Sequence, residues 1–403
     1  MSWSDMHRMR VCIAGGGPAG MMAGLLFARA GVDTVVLEKH ADFLRDFRGD
    51  TVHPSTLDLF DELGLLDSFL ERPFDRVDNV GAVIGGSDYR VADFSHLPVR
   101  ARFIALMPQW HFLDFVAEQA RLYPNFTLRM ETEATELIEE EGRVVGVRGA
   151  AGEAFPADLV LAADGRGSRL RDGLPLQDLG APIDVLWFRV SKQPTAANQT
   201  QGYIAGGEMI VAIDRGDYLQ CGRVIEKGGA SRVLARGLDA FRAEVGAVVP
   251  NARWGMERFA SLDEVKLLSV SLDRLTRWHR PGLLAIGDAA HAMSPVGGVG
   301  INLAIQDAVA AANILAGPMT RGEDPDPLLH RVQARRMFAV RLVQAAQRTA
   351  HRTVLRAALA GKIVRAPLAV RLIDAVPLLQ RIPARMIGLG VRREHIRSPV
   401  ATR

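Results

Sequence analysis

Near the start of the 403-residue chain, the run Arg10-Val-Cys-Ile-Ala14, the turn Gly15-Gly-Gly-Pro-Ala-Gly20 and the segment Met21-Met-Ala-Gly-Leu-Leu-Phe-Ala-Arg-Ala30 follow one another without a gap. A short apolar run, a glycine cluster and an apolar segment of helical spacing predict strand, tight turn and helix. Each glycine has a task. Gly15 lets the chain turn sharply, Gly17 lets backbone approach a pyrophosphate, and Gly20 lets the helix lie close to the strand. Pro18 and Ala19 begin that helix, whose exposed amides and positive dipole end would face the phosphates. A second apolar run, Thr34-Val-Val-Leu37, ends at Glu38 and Lys39. A carboxylate there can take both hydroxyls of an adenosine ribose and disfavours a 2′-phosphate, so the expected bound nucleotide is FAD or NAD rather than NADP.

A chain of this length allows two or three domains and needs no disulfide or metal staple. The two cysteines, Cys12 and Cys221, form no metal-ligand or redox spacing and read as core residues of a protein in a reducing, cytoplasmic setting. No metal site is expected. The near-balanced 49 basic and 46 acidic residues give no reason to expect nucleic-acid binding. No second strand–GxGxxG–helix unit follows, which argues against flavin disulfide reductases.

Two further segments carry chemistry. Asp158-Leu-Val-Leu-Ala-Ala-Asp164-Gly165-Arg-Gly-Ser168-Arg169 reads as a buried strand ending in an acid, a glycine and a polar turn. Gly282-Leu-Leu-Ala-Ile-Gly287-Asp288 is another such strand, followed by His291, Pro295, the turn Val296-Gly-Gly-Val-Gly300-Ile-Asn302 and a strong helix. In this order the three motifs resemble the group A FAD-dependent monooxygenases, the para-hydroxybenzoate hydroxylase-like aromatic hydroxylases, over roughly residues 8 to 330.

The resemblance implies an α/β fold. A Rossmann-like FAD-binding domain (1–75, 100–175 and 265–330) would carry an inserted antiparallel β-sheet substrate domain (76–99 and 176–264) and a helical carboxy-terminal region (331–403). It implies non-covalent FAD, with Glu38 on the ribose, Asp288 on the ribitol, and contacts from Arg48, Gln109 and the backbone of Ala134. Asp164 and Arg169 would link FAD to NAD(P)H use. It also implies NAD(P)H as co-substrate and dioxygen as oxidant, a flavin C4a-hydroperoxide passing oxygen to an aromatic, phenolic or polycyclic substrate, and no dedicated catalytic side chain. Amides around Gly298, Val299, Gly300, Ile301 and Asn302 would stabilise negative charge on reduced flavin, beside Pro295. His53 reads as part of a helix start capped by Ser55, and His291 as a structural histidine.

Between about 176 and 270 short alternating runs predict a second sheet. Its inward residues Trp187, Arg189, Met209, Tyr218 and Gln220 are the expected substrate liners. Halogenase and isoprenoid-reductase signatures are missing from the sequence. A flavin oxidoreductase or oxidase acting on a lipophilic quinone or isoprenoid stays open as an alternative, as does a non-catalytic flavin-binding module.

Residues 331–403 hold sixteen basic residues against the acids Asp374 and Glu394, an excess of +14, whereas the first 330 hold 33 basic and 44 acidic residues, a balance of −11. The tail is expected to pack on the body as short helices divided by Pro367, Pro377 and Pro383. Contact with an anionic membrane surface or an acidic partner is the alternative, and homodimer formation is left open.

Overall fold

The computed structural model describes residues 8–44, 51–193, 200–295, 297–352, 358, 360 and 365–401. Arg48 lies outside the described residues.

A six-stranded sheet orders the nucleotide half: His279–Arg280, Leu283–Ala285, Leu159–Ala162, Arg10–Ala14, Asp33–Leu37 and Phe126–Arg129. All neighbours run parallel except the outermost pair, His279–Arg280 with Leu283–Ala285. The strands Leu159–Ala162 and Leu283–Ala285 are buried along their whole length, as their unbroken apolar runs require of parallel strands covered on both faces. The helix Pro18–Ala30 is buried on nearly every side. Small residues allow this: a Cβ on Gly24 would lie 2.8 Å from Val36 and 3.0 Å from Phe126, so only glycine lets this helix settle on the sheet.

A second, seven-stranded sheet stands beside the first, in the order Lys266–Leu268, Ile183–Ser191, Tyr218–Glu226, Glu208–Asp214, Gln201–Ala205, Asn79–Ile84 and Ser87–Asp93. It departs from the fully antiparallel expectation at one seam. Gln201–Ala205 and Asn79–Ile84 pair in parallel, because the hairpin Asn79–Asp93 comes from a separate stretch of chain and docks on the edge of the larger meander. Lys266–Leu268, placed with the nucleotide half by sequence, pairs with Val185–Trp187 and belongs to this sheet. One face, with Leu186, Phe188, Val190, Ile210, Ala212, Leu219 and Cys221, packs on Phe241, Val245 and Phe259.

The tail packs on the body. Helix Leu329–Ala350 runs along the nucleotide half and is followed by helices Leu368–Ala375 and Pro377–Gly388. Pro383 does not end a helix as expected; it lies inside Pro377–Gly388. Among the described residues, no helix is long and apolar enough to cross a membrane.

Candidate cofactor and substrate site

The three motifs meet. A Cβ on Gly15 (φ 108°) would lie 2.4 Å from the Ala163 carbonyl oxygen, and one on Gly20 would lie 1.9 Å from that of Gly15. Packing therefore fixes both glycines, and the positive φ of Gly15 requires one there as well. Gly17 differs, because nothing lies within 4 Å of where its Cβ would stand. It caps the helix in extended conformation with no side-chain cap, and no acid occupies the first turn. The unpaired amides of that turn border open space, which suits a pyrophosphate.

Glu38 ends its strand buried, with one carboxylate oxygen accepting from Gly16 N at 2.9 Å and the other from His40 N at 3.1 Å. The acid is thus pinned beside the glycine turn, with Lys39 exposed next to it. Ala134 opens a strand two residues after Thr132, whose amide donates to the Glu38 carbonyl at 2.8 Å. Gln109 is the buried first residue of helix Gln109–Ala120.

Gly287, at φ 61°, sits between the two cofactor-facing helices, and a Cβ there would meet Ala19 at 3.0 Å and Ala304 at 3.1 Å. Next to it, Asp288 accepts from Arg166 Nε at 2.9 Å. Arg166 also reaches the Met293 carbonyl at 3.3 Å, and its Nη1 is buried without a hydrogen-bond partner. Arg171 donates to the carbonyls of Ala289 at 3.1 Å and Arg166 at 2.7 Å. These two arginines, passed over in the sequence, join the Asp-Gly turn to the Gly-Asp loop. Their signal was at the motif, which carries Arg166 and Arg169 and is followed two residues on by Arg171; the residue singled out, Arg169, has an exposed side chain and offers its amide to Asp164, at 3.2 Å. Burial raises the Asp164 carboxyl above its usual range, while bonds from Ser168 and nearby amides pull the other way.

Beyond Pro295, Gly297 and Gly298 adopt φ of 85° and 61°, where a side chain would be strained. A Cβ on Gly298 would stand 2.9 Å from Thr51 Oγ1 and 3.6 Å from His53 Nε2. Val299 caps helix Gly300–Thr320, again with no side-chain cap and no acid in the first turn, and Ile301 lies within that turn. Asn302 Oδ1 accepts from His53 N at 3.2 Å and Thr56 Oγ1 at 2.8 Å, leaving Nδ2 buried and unpaired.

His53, not Ser55, caps its helix, because Pro54 takes the first helical position. Its Nδ1 donates to the Ile387 carbonyl at 2.7 Å, so Nε2 is left as an acceptor. Burial pushes its pKa down to about 4, with the bond to Ile387 opposing, and keeps it neutral. His291 is buried against Asp307, with Nε2 and Oδ2 2.6 Å apart, in the structural place expected of it.

The five expected substrate liners share one face of the seven-stranded sheet. Arg189 pairs with Gln220, Trp187 with Gly222, and Met209 with Val224, which itself pairs with Val185. Tyr218 lies two residues before Gln220 on the same strand, and the Arg189 guanidinium sits 5.2 Å from its ring centroid. Gly222 makes room for the Trp187 ring, 3.1 Å from where a Cβ would be.

A glycine cradle, two uncapped helix starts free of acids, and orphaned donors on Arg166 and Asn302 fit FAD and define a flavoprotein. The chain belongs to the FAD binding domain family, whose model matches residues 8–346. It is an oxidoreductase of the FAD-dependent monooxygenase class, related to the para-hydroxybenzoate hydroxylase-like enzymes. It is 33% identical over 403 residues to 6-methylpretetramide 4-monooxygenase of Streptomyces rimosus, with 98% of this chain and 96% of that protein covered. In fold it is similar to PqsL, a probable FAD-dependent monooxygenase from Pseudomonas aeruginosa (TM-score 0.75, 22% identity, 88% of this chain and 99% of that chain). It is likewise similar to OxyS anhydrotetracycline hydroxylase from Streptomyces rimosus (TM-score 0.74, 23% identity, 96% and 77%).

Proposed function

We propose that this enzyme inserts one oxygen atom from dioxygen into an aromatic, phenolic or polycyclic substrate, using NAD(P)H as electron donor and non-covalent FAD as cofactor. The observation that carries the reading is the convergence of all three nucleotide motifs around one cradle, in a chain whose second sheet groups an indole, a thioether, a phenol and an amide on one face. The similarity to 6-methylpretetramide 4-monooxygenase, which runs nearly end to end, supports an aromatic substrate.

When bound, FAD would relay two electrons from NAD(P)H to dioxygen, one atom of which enters the substrate while the other leaves as water. The chain's own residues supply placement and electrostatics. The amides from Gly15 to Gly20 would take the pyrophosphate, Glu38 the ribose and Asp288 the ribitol, with Gln109 and Ala134 alongside. Arg166 holds the Asp288 carboxylate in a fixed orientation through its 2.9 Å bond. The start of helix Gly300–Thr320, which has no acid in its first turn, would offer amide dipoles to negative charge on the reduced ring without a cation. Trp187, Met209 and Gln220 would form the apolar and amide wall for the aromatic ring, and Arg189 with Tyr218 its polar rim. The buried free thiols Cys12 and Cys221, pushed by burial to about 12, suit a reducing cytoplasm.

The test is oxygen labelling. With 18O2, NAD(P)H and an aromatic screen, one labelled atom should appear in the product per NAD(P)H consumed. Label confined to peroxide, with dehydrogenated substrate, would make the enzyme an oxidase.

A further inference from the structure

Helices Leu368–Ala375 and Pro377–Gly388 have two unlike faces. The inner face packs on the body: Val370 against Ile84 and Ile204, and Ala384 and Ile387 against Phe94, Leu97 and Leu106. The outer face carries Leu368, Leu372, Val376, Leu378, Ile382 and Met386, each 41–68% exposed. Leu368 and Leu372 on the first helix, and Leu378, Ile382 and Met386 on the second, recur at four-residue intervals, with Val376 at the junction, so each helix carries an apolar outer stripe, the two together termed the ridge. Arg371, Arg381 and Arg385 each directly precede a ridge residue and are themselves exposed, so the ridge is flanked by positive charge. The one acid in the two helices, Asp374, is turned to the body, where it accepts from Arg90 N at 2.8 Å.

We propose that this ridge is a membrane-docking surface that lays the enzyme on an anionic bilayer, apolar side chains in the headgroup–acyl boundary and arginines on lipid phosphates. Charge complementarity selects this occupant. An isologous dimer built on the ridge would bring its arginines against their own copies with no acid between them, a like-charge contact that opposes closure. Leucine, isoleucine and methionine flanked by arginine is the composition of helices that lie in the interface plane.

The test uses the full-length FAD-loaded protein and vesicles of phosphatidylglycerol and phosphatidylcholine in equal parts, with pure phosphatidylcholine as the control. Sedimentation should show binding to the anionic vesicles, little to the neutral ones, and loss of binding as added salt shortens the screening length. Replacing an arginine with glutamine should weaken binding about fivefold per site, the equivalent of the ~1 kcal/mol expected of a basic side chain at an anionic leaflet. The triple change Arg371→Gln, Arg381→Gln, Arg385→Gln should then cost about a hundredfold. The pair Leu372→Ser and Ile382→Ser should lose binding even at low salt. Flavin absorbance and the thermal midpoint, unchanged in every variant, show that the fold is intact. The proposal is overturned by failure to bind anionic vesicles, by equal binding to neutral ones, or by a dimer that the Ile382→Ser change dissociates.

Discussion

Replacing Arg336 by leucine should remove about 3–5 kcal/mol of stability, the cost of breaking a buried ion pair from one side. The guanidinium is 1% exposed, and its Nε donates to Asp307 Oδ1 at 2.9 Å. Its Nη1 reaches Glu394 Oε1 at 3.3 Å and the Arg392 carbonyl at 3.2 Å. Without it, buried Asp307 keeps only His291 and the Gly287 amide, and Glu394 keeps Arg335 and its remaining contacts with the body. Because Asp307 holds the Gly287 amide in the cofactor loop, flavin release should accompany the lost stability. Urea unfolding followed by flavin fluorescence gives both readouts. Arg335→Leu is the internal reference: that arginine bonds the same Glu394 at 2.7 Å but is 42% exposed, so its loss should cost about 1 kcal/mol or less. The pH dependence has a definite sign. Burial would raise the Asp307 carboxyl, but His291 and Arg336 overcome it and hold the group below the ordinary range. A depressed carboxyl contributes fully above its unfolded-state value and is lost only as pH falls through the lower folded one. The Arg336→Leu deficit should therefore be equal at neutral and mildly acidic pH. A deficit no larger than that of Arg335→Leu would refute the argument that this network holds the tail to the nucleotide half.

Gly17→Ala should cost about 1 kcal/mol or less in fold stability while lowering FAD affinity at least ~10-fold by titration, because its methyl would enter the space left for the pyrophosphate. Gly20→Ala, whose Cβ would lie 1.9 Å from a carbonyl oxygen, should fail to fold and give no soluble yellow protein. Asp288→Ala should weaken FAD binding roughly ten- to a hundredfold, the equivalent of ~1.5–3 kcal/mol for a charge-assisted hydrogen bond; unchanged affinity would place the ribitol elsewhere. For His53, lowered from 6.5 to about 4, the unfolded chain binds the extra proton between those values, so stability rises with pH across that window and is fully present above it. Wild type should lose roughly 3 kcal/mol more than His53→Gln on acidification from pH 7 to 4, and equal losses by urea unfolding would show that His53 is not buried neutral.

The sequence disclosed what is local and hid what is distant. Strand, glycine turn and helix lie between Arg10 and Ala30, and each glycine's need could be stated from backbone geometry alone. The alternation of Ile183–Ser191 and Tyr218–Glu226 likewise put Trp187, Arg189, Tyr218 and Gln220 on one face, since side chains of a strand alternate with a period of two. Arg336 gave no such signal. Its partners Asp307 and Glu394 stand 29 and 58 residues away, and a charged residue in a basic helix reads as solvated until the fold buries it. The same holds for Arg166, which meets Asp288 across 122 residues. Pro383 was misread because a proline at a solvent-facing turn can bend a helix without ending it.

The helix Leu329–Ala350 also constrains how the protein is made. Gln333 bonds the backbone of Thr276 and Trp278, Gln344 that of Asp273 and Ala292, and Gln347 that of Ser294, so this helix supplies partners to polar backbone of a domain begun at Arg10. Further on, Arg393 meets Asp58, and Ala401 N donates to the Arg29 carbonyl at 2.9 Å. During synthesis the first helix and its strands therefore emerge long before the groups that satisfy them. Val332, Met337, Ala339 and Val340 of helix Leu329–Ala350 belong to the same core as Val11, Ile13 and Met21, so the nucleotide half completes its apolar burial only once the arginine-rich segment has been made.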